Sequence, residues 1–118
     1  MLYEDEKIVC VLPHAGVVPG HIQIYSKIEE KYIEKLSPDD SVYLFLAAST
    51  VASLLFEALK VQGTNLIVKS GPTDDNTDGK LCLHILPRKQ DDSLQGLLWQ
   101  PVQPKYNLDG VMEKIKDK

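Results

Sequence analysis

The sequence predicts an α+β domain on a mostly antiparallel sheet of about five strands, with one long helix and a short C-terminal helix. Three observations carry that prediction. Short runs in which apolar residues alternate with period two recur along the chain, joined by turn-rich segments of the hairpin type. A stretch beginning at Ser37 has the start signal, length and apolar spacing of a single long helix. The 118 residues fit one domain, 1–118, and suffice to bury a core without disulfides or a structural metal.

The elements follow in order. Residues 2–12, LYEDEKIVCVL, read as a short strand, an acidic turn and a second strand in which Ile8, Cys10 and Leu12 alternate with Val9 and Val11. Apolar residues on both faces predict burial on both sides. PHAGVVPGH is a Pro- and Gly-rich loop, and HIQIYSK a strand with Ile22 and Ile24 on one face. The long helix has Ser37 as N-cap, Pro38 at its first position, and Asp39 and Asp40 in its first turn, where carboxylates complement the helix dipole. Its expected end is about Val61, before Gly63. Phe45, Ala48, Ala52, Leu55 and Leu59 form one apolar stripe, and Leu44, Ala47, Val51, Leu54 and Ala58 a second beside it. A face that wide predicts two partners, the sheet and the same helix of a second copy, with Ala47, Ala48, Ser49 and Ala52 permitting close approach. TNLIVKS, GKLCLHILPR and LDGVMEKIK supply the remaining strands and the C-terminal helix.

Composition narrows the function classes. At 43% hydrophobic and 25% charged residues the chain resembles an ordinary globular protein. A formal net charge of −4 leaves no broad basic surface, so nucleic acid is not an expected partner. The longest apolar stretch is interrupted by Ser, Thr, Glu and Lys, and the N-terminus lacks a basic region followed by an apolar core, so no membrane partner is expected and the expected location is the cytoplasm. Cys10 and Cys82 lie in apolar runs and read as reduced, buried thiols. No cofactor is expected.

The strand GKLCLHILPR raises the chemical question. Leu81, Leu83 and Ile85 share one face, while Lys80, Cys82 and His84 share the other, which makes the strand either a site or an unusually polar sheet surface. Just before it, DDNTDG matches the opening of a calcium loop at Asp74, Asn76, Asp78 and Gly79. The closing position holds Ile85 in place of a bidentate Glu, and Asp78-Gly79 serves equally as a hairpin turn, so no metal is expected.

The order VVPGHIQIYSK, helix, GTNLIVKSGP, TDGKLCLHILPR and a late LWQP resembles the histidine triad superfamily of nucleotidyl hydrolases and transferases, from about Leu2 to Trp99. The resemblance implies a homodimer with the long helix and adjacent strand at the interface. It also implies a His-x-His-x-His signature, which here reads Lys80, Cys82 and His84. The middle position of the family carries the imidazole that attacks the α-phosphorus, so Cys82 stands where the nucleophile would be. By the same matching a fourth histidine falls on Glu29, a ribose-binding residue on Pro13, and the Gly-Gln-Ser/Thr of a phosphate loop on Asp75, Asn76 and Thr77. Asn65, Ser70, Asn76, Thr77, Lys80, His84 and Trp99 are the ligand-contact candidates that the resemblance supplies, for a purine nucleotide or another phosphate ligand. The expectation is a degenerate nucleotide site without catalytic residues, kept as a ligand-binding or protein-interaction module. The alternative is a nucleoside phosphoramidase or dinucleoside polyphosphate hydrolase using Cys82 or His84 in a rearranged site. Cys82 otherwise reads as a small hydrophobe in the space of a lost imidazole, His84 as a hydrogen-bonded cleft residue, His21 as a support for the loop after Gly20, and His14 as a surface residue. Trp99 and Pro101 are expected to close the rim.

Overall fold

The computed structural model describes residues 2–14, 16–28, 30–92 and 107–118. The strands are β1 (Tyr3–Glu4), β2 (Ile8–Val11), β3 (Ile22–Ser26), β4 (Gly63–Lys69) and β5 (Cys82–Arg88), with helices α1 (Pro38–Leu59) and α2 (Leu108–Lys116) and one 3-10 turn at Ile33–Lys35. They form one antiparallel sheet in the order β1-β2-β3-β5-β4. The chain crosses from β3 to β4 through α1, and β5 then inserts between them. Because side chains alternate, this insertion aligns Gln23, His84 and Ile67 in one row and Tyr25, Cys82 and Lys69 in the next.

The predicted start of α1 is present: Ser37 accepts a hydrogen bond from the Asp40 N–H, and Pro38 opens the helix. The end comes two residues earlier than Val61. Lys60 turns left-handed (φ 55°) and caps the helix with its N–H on the Phe56 carbonyl, freeing Val61 to be buried ahead of β4. By length and composition α1 would suffice to cross a bilayer, but here it packs on the sheet. The stripe facing the sheet is Leu44, Ala48, Val51 and Leu55, which draws on both sequence stripes, while Phe45, Leu46, Leu54 and Phe56 are exposed. Against that stripe lie Ile8, Cys10, Ile22, Ile24, Leu83 and Ile85.

Two-sided burial of β2 is a further correction. Ile8 and Cys10 are buried, but Val9 and Val11 are only half-buried on the opposite face, and Leu12 leaves the strand and is exposed. β5 starts at Cys82, so Lys80 belongs to the preceding loop and shares no strand face with Cys82 and His84. The cause is local: Asp78 accepts the Lys80 N–H, and Gly79 has φ 71°, which turns the chain away from the ladder. Glu29, Trp99 and Pro101 lie outside the described residues.

Candidate active site

The sheet face turned away from α1 presents His21, Gln23 and Tyr25 from the β3 side, Cys82 and His84 from β5, and Asn65, Ile67 and Lys69 from β4. Its centre is an imidazole pair. His21 lies just before β3, placed there by Gly20, where φ is 88° and an added Cβ would stand 2.5 Å from Leu59 Cδ1 and 3.1 Å from Pro87 Cγ. His21 is buried, its Nδ1 accepts from the Val17 N–H at 3.1 Å, and its Nε2 lies 2.9 Å from His84 Nδ1. These contacts assign the protons. A backbone N–H can only donate, so His21 carries its hydrogen on Nε2 and donates to His84 Nδ1. Neutral His84 then carries its own hydrogen on Nε2, which has no partner among the described residues and is open to solvent. Burial lowers the pKa of both rings, that of His84 to about 4, helped by the Lys69 charge. His84 is therefore a neutral donor at pH 7, with no free lone pair for attack or proton abstraction.

Cys82 is 2% exposed. Its thiol lies 3.8 Å from the Leu83 carbonyl, and burial pushes its pKa up to about 11, so the thiolate is scarce at neutral pH. Tyr25, its row neighbour, donates to Gln23 Oε1 at 3.2 Å.

The loop expected to hold phosphate is closed on itself. Thr73 and Asn76 exchange backbone hydrogen bonds, Gly79 donates to the Asn76 carbonyl, and Gly71 donates to the Lys31 carbonyl. The Asn76 amide donates to the carbonyls of Gly71 (2.9 Å) and Lys80 (3.0 Å), bracing the loop base. These donors are spent internally and cannot also cradle an anion. Ser70 is committed too, accepting from the Ile33 N–H at 2.8 Å and donating to the Lys31 carbonyl. Asn65 accepts from Arg88, whose guanidinium also grips Asp92 at 2.6 and 3.0 Å. Thr77 and Lys80 are exposed. Of the seven ligand-contact candidates, only His84 belongs to the centre of the cleft with a donor to spare, and Trp99 lies outside the described residues. Among the described residues no group of His, Cys, Asp or Glu is arranged to hold a metal ion.

Two members lie outside the expected ligand contacts: His21, expected only as a loop support, and Lys69, which no motif singles out. PGH and the spacing from β3 to β5 carried a signal for His21, but Lys69 enters only through the β4–β5 register. Lys69 Nζ donates to the Asp75 carbonyl at 3.1 Å and sits 3.6 Å from its carboxylate. Beside His21, a cavity of about 370 Å³ is lined by Leu12, Pro13, His14, Val17 and Val18 among others. A separate apolar groove of about 960 Å³ lies on the other side of the sheet, between α1 and β1–β2.

Comparison with known proteins bears on the family and the fold. A family model described as the HIT domain covers residues 1–91. An adenylylsulfatase of Arabidopsis thaliana is 26% identical over 93 residues, 79% of this chain and 47% of that protein. A bis(5′-adenosyl)-triphosphatase of Dictyostelium discoideum is 26% identical over 76 residues, 64% of this chain and 51% of that protein. The chain thus spans about half the length of these two curated relatives. A crystal structure of a Streptococcus mutans protein superposes with a TM-score of 0.76 at 22% identity, covering 98% of this chain and 72% of the other, a likeness of fold.

Proposed function

The chain belongs to the HIT family, and on that premise we propose that it binds a phosphate-bearing ligand of the purine nucleotide class in the His84 cleft without forming a covalent nucleotidyl intermediate. The observation that carries this reading is the hydrogen-bond order of the cleft. Val17 fixes His21, and His21 fixes His84 as a neutral Nε2–H donor, beside a Cys82 thiol that burial keeps protonated. A covalent route needs an attacking lone pair, a proton for the leaving group and a held phosphate, each worth orders of magnitude in rate. The Cys82–His84 strand supports only the holding role, and the cavity lined by Pro13, His14 and Val17 offers room beside it for a nucleoside. The names of two relatives, an adenylylsulfatase and a bis(5′-adenosyl)-triphosphatase, favour hydrolase chemistry, and the second reading is a hydrolase with a rearranged site that acts on adenosine phosphoramidate or a dinucleoside polyphosphate. Calorimetric titration with AMP, run beside product assays with both substrate types, separates the two. Binding without turnover is expected, and turnover abolished by Cys82→Ser overturns the binding-module reading.

We also propose a homodimer. Phe45, Leu46, Leu54 and Phe56 leave much of α1 apolar and open to solvent, an area that usually marks an interface, and a protein partner is the competing occupant. Sedimentation at micromolar concentration is expected to give twice the monomer mass, and a monomer at every concentration removes this reading.

A further inference from the structure

Lys69 is the cation that no motif singled out. It closes β4 directly opposite Cys82 and diagonal to His84, so it stands on the cleft face in the row next to the imidazole pair. Diagonal neighbours on one sheet face have backbones roughly 7–8 Å apart, and the flexible four-carbon stem of a lysine lets its ammonium reach a phosphate held beside the imidazole. The other cations nearby are placed differently. Arg88 is engaged with Asp92 and Asn65, and Lys80 is exposed off the strand. What Lys69 now holds is Asp75, through both the main-chain oxygen and the carboxylate. The Asp75 side chain is 73% exposed, and its other tie is a 2.7 Å bond from Thr73 Oγ1 inside the same loop. It can swing away without disturbing the core.

We propose that Lys69 is the anion-recognition residue of this cleft and that Asp75 is a built-in competing carboxylate, which a ligand must displace. The site therefore selects a ligand carrying one phosphate over a polyphosphate. The inference rests on the cleft-binding reading above for where the ligand sits, and goes beyond it in naming the residue and the selectivity. A pair at 3.6 Å whose carboxylate is 73% exposed is a weak competitor. A phosphate held by charge-assisted bonds from Lys69 Nζ, with His84 Nε2–H on its other side, is a stronger partner for the ammonium. Further phosphates gain nothing comparable. They meet Asp74, Asp75 and Asp78 of a loop whose N–H groups largely bond to the protein itself, so added negative charge is opposed.

The test is calorimetric titration of the full chain with AMP, ATP and inorganic phosphate, at two salt concentrations. AMP is expected to bind more tightly than ATP. Lys69→Met should weaken AMP by about tenfold or more, Lys69→Arg should retain most of the affinity, and Asp75→Asn should tighten it by about threefold, with a larger gain for ATP. The His84 ring proton resonance should shift on phosphate addition in the wild type but not in Lys69→Met, and an unchanged melting temperature in that variant shows that the loss is not unfolding. Inorganic phosphate binding as tightly as AMP would keep the role of Lys69 and remove the nucleoside from the cleft. If Lys69→Met binds AMP like the wild type while His84→Gln does not, this inference fails and the cleft reading stands. If neither the wild type nor Asp75→Asn binds any of the three, both fail.

Discussion

On one face of β5, Leu83 and Ile85 are wholly buried under Leu44, Ala48, Val51 and Leu55 of α1; on the other, Cys82 and His84 sit one row apart among Tyr25, Gln23, Ile67 and Lys69. The first face is set by shape and apolar volume, so residue types there follow from burial alone. On the second face the histidines and the lysine are set by particular protons or charges: Val17 to His21, His21 to His84, Lys69 to Asp75. Removing a methyl group disturbs the first, whereas moving a proton disturbs the second. A fold can therefore persist while the chemistry carried on its reverse side changes, because the two faces share backbone hydrogen bonds but few side-chain contacts.

The contrast can be broken by measurement. Leu83→Ala should cost about 2–5 kcal/mol of stability through the cavity it leaves, read as a lower urea midpoint at unchanged slope. A cost below that of Cys82→Ala would mean that the buried face does not carry the fold. Next in size is a pH effect confined to the open face. The folded pKa of His84 is depressed to about 4, and that of His21 is also lowered, so the unfolded chain binds more protons between roughly pH 6.5 and 4. Stability is thus full above pH 6.5 and is lost as pH falls through about 4, by on the order of 2 kcal/mol. His84→Gln should flatten the urea midpoint over this window, and an unchanged slope would reject the neutral pair.

Cys82→Ala should cost about 1 kcal/mol, with no change in AMP affinity. In the native wild-type protein neither Cys82 nor Cys10 should react with a disulfide reagent at pH 8, since burial raises the pKa of both thiols. Rapid labelling of Cys82 without denaturant would return it to the list of nucleophiles. Smallest of all, Lys80→Met should shift stability by less than about 0.5 kcal/mol and leave AMP binding unchanged, in contrast to Lys69→Met.

Local signals made most of the fold legible. Ser37 and Pro38 announce α1 because capping is decided within one turn, and the alternation of Ile22 and Ile24 announces the buried face of β3. α2 falls on LDGVMEKIK, with Asn107 as its side-chain cap. The cleft was less legible because its members meet through pairing across the chain. Lys69 and His21 reach His84 only after β5 has inserted between β3 and β4, which no window of neighbouring residues contains. Polar residue type misled in the other direction. Asn65, Ser70 and Asn76 have groups suited to a ligand, yet the protein uses them to hold Arg88, the Ile33 turn and its own loop. Only the distribution of acceptors in three dimensions separates these uses.

The 63-residue separation of the two histidines sets an order of events in time. The β2–β3 and β4–β5 pairs close over short stretches of chain, but the β3–β5 seam joins segments on either side of the whole of α1. Gly20 adds a steric condition, since it packs against Leu59 at the end of α1 and Pro87 of β5. The loop that aims His21 cannot settle until all three meet. In refolding experiments followed residue by residue, protection of the β2–β3 and β4–β5 amides is expected before the His84 ring acquires its native shift, so the His84 cleft matures after the hairpins that flank it.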